Sequence, residues 1–334
     1  MPIPLIIGAA AAAAGLYGAK KGISGALDHQ AAKKTNSESE AIVREANQKV
    51  ETRRESTNQS LEQYGQRKLR AFNGVIADFI LTFEQLKNVE IVKSPELEKL
   101  TEQDFSQNPL TGLRQDYQAL KDAGLGLGAG LSGGAALAFG AYNGTMLLAT
   151  ASTGTAISTL GGVAATNATL AWLGGGSLAA GGYGMAGGMI VLGGIVAGPA
   201  LAVFGHILGN KGEQALNTAL GNLEQAKTLR TESNIIADKL TAIGDVTKLA
   251  DNTFSTISSH LRNAVHSLKK TIASQGTDFS SFSNEDKEVT YRTVKFAQLI
   301  KAMIDTPILD EQGNLVLSTQ KRIKEIAVMA ADQA

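Results

Sequence analysis

Between Asp122 and Lys211 the chain runs for 88 residues, Ala123 to Asn210, without an Asp, Glu, Lys or Arg. Most of its 37 glycines fall in this block. A soluble core helix does not look like this, because each glycine costs helix about 1 kcal/mol relative to alanine. A bilayer changes the balance. Without water every backbone amide has to pair inside the segment, so helix is the form available to a spanning chain. Apolar side chains gain nothing there by meeting each other, and close backbone packing of small residues drives association instead. The spacing for such packing recurs at Gly126/Gly130/Gly134, Gly140/Gly144, Gly184/Gly188, Gly194/Gly198 and Gly205/Gly209. At about 20 residues per crossing the block has room for roughly two to four. The strongest stretches are Met185–Leu208, with Pro199 expected to kink it, and Leu125–Ala149. The Thr- and Ala-rich run between them, which closes just after Trp172, is more polar and the weaker candidate for a third crossing. Trp172 is expected to anchor at the membrane interface. Lys121 and Lys211 flank the block on either side. If both flanks lie on one face of a membrane, the number of crossings is even, and a two-helix hairpin satisfies this.

The charged residues lie outside the block. Lys+Arg and Asp+Glu both number 31, so no global charge draws the chain to nucleic acid. Apolar residues at Val43, Ala46, Val50, Leu61, Tyr64, Leu69, Phe72, Ile76, Phe79, Phe83 and Leu86 recur mostly every three or four positions, the stripe of an amphipathic or coiled-coil helix. Its expected region is 37–121, with a break near Pro95 and Pro109, after a polar linker over 22–40. A second stripe from Leu216 to Ile272 predicts a long helix over 211–275, with a break or kink at Gly244–Asp245. A C-terminal tail, 283–334, is expected to hold helices over Asn284–Asp305 and Thr319–Ala331, the first capped by Ser283 with Asp286. A small hairpin is expected around Glu311–Asn314, between the two helices. The fold class is therefore all-α, with long antiparallel, coiled-coil-like helices flanking a Gly/Ala-rich hairpin over 123–210. The apolar N-terminal segment, 1–21, ends in Lys20 and Lys21 instead of opening on positive charge. It is expected to be a retained span or interfacial anchor.

Little in the sequence suggests catalysis. There is no cysteine, which removes disulfides and thiolate metal sites. Gly128-Ala-Gly130-Leu-Ser-Gly133 matches a dinucleotide fingerprint, but no strand precedes it and it lies inside the apolar block. The four histidines, His29, His206, His260 and His266, have no partner at ligand spacing. No enzyme activity, no cofactor and no metal are expected.

Two resemblances follow from these features. Charged helices around an uncharged Gly/Ala hairpin resemble apolipoprotein-L-like proteins and cytolysin-like α-helical pore formers, which implies membrane insertion and permeabilisation. The stretch STGTAISTLGGVAATNATLAWLGGGSLAAGGYGMAGGMIVLGGIVAGPALAVFG, with the start MPIPLIIGAAAAAAGLYGAKKG and the IDTPILDEQGNL segment, is similar to uncharacterised bacterial glycine-zipper membrane proteins. That likeness covers most of the chain and carries no established activity. The expected function is a bacterial membrane-inserting protein that oligomerises through its glycine faces and permeabilises or remodels a bilayer, as a toxin or a cell-death (defence) effector. The expected partners are a lipid bilayer and further copies of the chain, with a partner protein along the long helices as an addition. The expected location is the bacterial inner membrane, reached directly or from a soluble form. Two other classes fit the same features: a membrane-anchored coiled-coil scaffold that recruits partners without a pore, and a secreted substrate whose hairpin a chaperone shields.

Overall fold

The computed structural model describes residues 25–89, 111–122, 139–141, 216–310 and 313–332. The described residues are mostly helical and contain no strand. The helices are α1 (Gly25–Ala71), α2 (Ala77–Phe83), α3 (Thr111–Asp122), α4 (Leu216–Gln275), α5 (Asn284–Asp305) and α6 (Thr319–Ala331). Residues 139–141 are also helical. The N-terminal segment 1–21 and most of the 123–210 block lie outside the described residues.

Helix α1 begins at Gly25, twelve positions before the expected start at Ser37. The polar stretch ahead of Ser37 carries no proline and is rich in Ala and Lys, which are good helix formers whatever their hydropathy. Its Ala32 is buried. Between α1 and α2, residues Phe72–Ile76 widen into a π-helical turn, a feature frequent at functional sites. Helix α4 runs 60 residues without the expected break. Gly244 lies inside it, where a Cβ would stand 3.5 Å from Thr57 Oγ1, an ordinary contact distance.

The chain divides into two compact units, Met1–Arg54 with Val196–Lys239 and Glu55–Ile195 with Leu240–Ala334. In the first, Val43 and Ala46 of α1 pack on Ala226 and Leu229 of α4. Asn222 Nδ2 donates to Asn36 Oδ1 at 3.2 Å, and Lys49 Nζ donates to Asn234 Oδ1 at 2.7 Å. The partners are separated by 186 and then 185 positions. A constant offset means that α1 and α4 run in the same direction. The second unit repeats the result. Thr57 Oγ1 donates to the Leu240 carbonyl at 2.9 Å, Arg67 Nη2 to Asp251 Oδ2 at 3.0 Å, and Lys269 Nζ to Asp78 Oδ1 at 3.2 Å. The expected antiparallel pairing of the two long helices is thus corrected to a parallel one. An apolar stripe is the same read in either direction, and the path of the intervening chain decides.

Antiparallel neighbours do occur in the second unit. Helix α3 runs back along α2, with Arg114 Nη2 on Glu84 Oε1 at 2.9 Å. Tyr117, Leu120 and Lys121 line a groove with Asn73, Ala77 and Leu81. Phe139 lies beside Phe72 and Gly140 beside Leu61. Helices α4 and α5 also form an antiparallel pair. Thr271 Oγ1 donates to Asp286 Oδ1 at 3.1 Å, and the His260 ring stacks on Phe296 at 5.3 Å.

Ser283 caps α5 as the sequence indicates, its Oγ accepting from the Asp286 amide at 3.1 Å. The hydroxyl also donates to Asp286 Oδ2 at 2.9 Å, so the aspartate closes the motif on the side chain. Ser283→Ala is expected to lower stability by about 1 kcal/mol, read as a lower urea midpoint at unchanged slope. The tail turn forms around Gly313, whose φ of 76° suits glycine. Among the described residues it closes a single bridge, Leu309 to Leu315, and no strand.

Candidate functional site

The second unit brings a short piece of the uncharged block into its core. On α1 and the π-helical turn that follows it, the inward positions Leu61, Tyr64, Lys68 and Phe72 follow at helical spacing, and all four are fully or almost fully buried. Against them lie Phe139, Gly140 and Ala141, with Phe139 1% and Ala141 0% exposed. Gly140 is the tightest point. A Cβ there would stand 1.8 Å from the Leu61 carbonyl oxygen and 3.1 Å from the Gly65 amide nitrogen. The first distance is shorter than any side chain tolerates and the second is tight, so the approach needs glycine.

Three further contacts hold the segment. The Ala141 carbonyl accepts from the Ile308 amide at 2.8 Å and from the Leu309 amide at 3.0 Å. The Phe139 ring lies 6.4 Å from that of Phe72. Lys68 Nζ donates to the Phe139 carbonyl at 3.0 Å. The same ammonium stands 4.4 Å from the centre of the Tyr64 ring and 5.2 Å from that of Phe139, within cation–π range.

Lys68 is 0% exposed. Burial pushes its pKa down to about 7, and the nearby Asp305 carboxylate pulls the other way. Burial, and to a lesser degree Asp251, raises the Tyr64 phenol well above its ordinary value. Next to this pair is a second buried charge cluster. Lys301 Nζ donates to Asp116 Oδ2 at 2.8 Å and to Asp305 Oδ1 at 2.7 Å. The Lys301 and Asp116 side chains are 5% and 10% exposed. Burial opposes charge on Lys301, but Asp116 and Asp305 together outweigh it and hold its pKa above normal. Burial raises the Asp116 carboxyl, with Lys301 opposing. Asp116 belongs to α3, the last helix before the uncharged block. The two buried lysines therefore bind the chain on both sides of residues 123–138.

Of the glycines expected to pack membrane helices, Gly140 is the one the structure describes. It makes a close backbone approach, but to α1 of its own chain. Gly126, Gly130, Gly134, Gly144, Gly184, Gly188, Gly194, Gly198, Gly205 and Gly209 lie outside the described residues, as do Trp172 and Lys211. Lys121 is exposed in the last turn of α3, where a cation suits the helix dipole. Lys68, Asp116 and Lys301 were not anticipated from the sequence. The signal was present for Lys68, which stands on the inward face of α1 between Tyr64 and Phe72.

Among the described residues no group of three or more His, Asp or Glu could hold a metal ion. Nor is any described helix long and apolar enough to cross a membrane. Comparisons with protein-family models, with curated proteins and with solved structures found no match to the chain.

Proposed function

We propose that this chain is a membrane-inserting, oligomerising α-helical protein that permeabilises or remodels a bilayer, acting in bacteria as a toxin or cell-death effector at the inner membrane. The observation that supports this reading is the 88-residue uncharged block, one piece of which is stored in a helical core. Storage accounts for a chain that carries both a charged helical body and a block rich in lipid-type glycine spacings. The glycine pairs of the block would join helices within the bilayer, where small residues let backbones approach. Trp172 would sit at the interface.

The test is dye release from liposomes by the purified chain, with co-flotation of the same sample. Release with flotation supports the reading. Gly188→Leu and Gly194→Leu are expected to abolish release while sparing flotation, because a bulky side chain blocks helix contact and leaves hydrophobicity intact. Release that persists with both substitutions would overturn the glycine-packing mechanism. Flotation without release would favour the membrane-anchored scaffold, with the parallel α1–α4 seam as its recruiting element.

A further inference from the structure

We propose that the packing of residues 139–141 against α1 is an autoinhibitory contact, and that its opening is the step that frees the Leu125–Ala149 stretch of the uncharged block for insertion. The proposal rests on the bilayer-active reading above. Its basis is mutual exclusion. A crossing helix needs about 20 consecutive residues in lipid. The stretch Leu125–Ala149 can supply them only if Phe139, Gly140 and Ala141 leave the protein core, where Phe139 and Ala141 are buried. The same three residues cannot face Leu61 and lipid at once.

The contact is also built to open. It is held by two amides of the C-terminal tail, one lysine side chain and one ring, all non-covalent. Ile308 and Leu309 donate from the non-helical run after α5, so their bonds to Ala141 can break without unwinding α5. The close approach at Gly140 tolerates no added atom, so a small displacement of α1 or of the tail forfeits the fit. In a two-state equilibrium of this kind, apparent insertion scales with the open fraction.

The test uses the full chain with two substitutions, Gly140→Val and Phe139→Ala. Gly140→Val forces the Leu61 contact apart, and Phe139→Ala weakens it without touching the backbone. Amide hydrogen exchange at Ile308 and Leu309 reads the contact directly. Exchange at Phe254–Leu261 of α4 reports whether the helical body stays folded. Dye release and flotation are measured with phosphatidylethanolamine–phosphatidylglycerol vesicles. Both variants are expected to speed exchange at Ile308 and Leu309 by roughly tenfold or more, to leave α4 protected, and to raise dye release by a similar factor. Adding Gly188→Leu to either should remove the gain. Faster exchange with dye release equal to that of the parent chain overturns autoinhibition and leaves the bilayer reading standing. A gain that survives Gly188→Leu also overturns it, as nonspecific disruption. Unchanged exchange means the contact is not the one described. If neither parent nor variants release dye or float, the bilayer reading fails and this proposal with it.

Discussion

Lys301→Ala is expected to destabilise the unit that contains it by about 3–5 kcal/mol at neutral pH. That is a large share of the roughly 5–15 kcal/mol that holds a typical domain folded. The loss is not the value of one attractive pair. Lys301 is the buried cation between Asp116 and Asp305, and its removal leaves the Asp116 carboxylate in the core without its countercharge. The pH dependence has a definite sign. Burial already raises the Asp116 pKa, so its ionised form is penalised in the folded state. Without Lys301 that penalty grows. It is fully present above the folded pKa and fades as pH falls towards the ordinary aspartate value. The deficit of Lys301→Ala is therefore largest at neutral pH and shrinks towards pH ~4. Lys301→Met with Asp116→Leu should recover most of the stability, because an apolar pair of similar volume replaces a desolvated ion pair at little cost. Urea unfolding of the three proteins at neutral and acid pH checks the argument. Equal deficits at both pH values would mean that Asp116 reaches water.

Local signals were readable in the sequence, and signals that depend on partners were not. Helix α5 begins at Asn284 and ends at Asp305 as expected, because Ser283 caps it and Pro307 cannot continue it. Helix α6 likewise begins at Thr319. The inward stripe from Val43 on α1 to Phe79 on α2 is buried. Strand direction has its counterpart here in helix direction. Nothing in a stripe of Leu, Val and Ala says whether α4 runs with α1 or against it, and the direction is read only from the side-chain pairs between them. Polarity misled twice. The stretch before Ser37 was too polar to suggest a helix, yet it only had to avoid helix breakers. Lys68 carries a charge, yet it lies on the inward face, with Tyr64 and Phe72 one turn away on either side both buried. Gly140 shows the limit most clearly. Small-residue spacing announces a close helix approach, and whether the neighbour is another membrane helix or α1 is a property of the folded state.

Raising the pH from neutral is expected to strengthen the same unit through Lys68, by up to about 1.4 kcal/mol per pH unit. The ordinary lysine pKa of 10.5 applies to the unfolded chain, whereas burial lowers the folded value to about 7. Between the two values the unfolded chain binds a proton that the folded chain does not. Unfolding then takes up a proton, so stability rises with pH across that window. Below about 7 the full cost of burying the ammonium is present and the slope vanishes. Lys68→Met should remove this slope, so the parent chain gains on the variant between pH 7 and 9 in parallel urea titrations. A constant difference would mean that Asp305 keeps Lys68 charged throughout. The consequence reaches the contact at Phe139, since Lys68 Nζ is its hydrogen-bond donor. A neutral amine still donates to the Phe139 carbonyl, and it does so without the desolvation cost of the ammonium. The contact should therefore hold most firmly in mild alkali. It should hold least firmly at neutral pH and below, where the buried charge works against the packing that Gly140 makes possible.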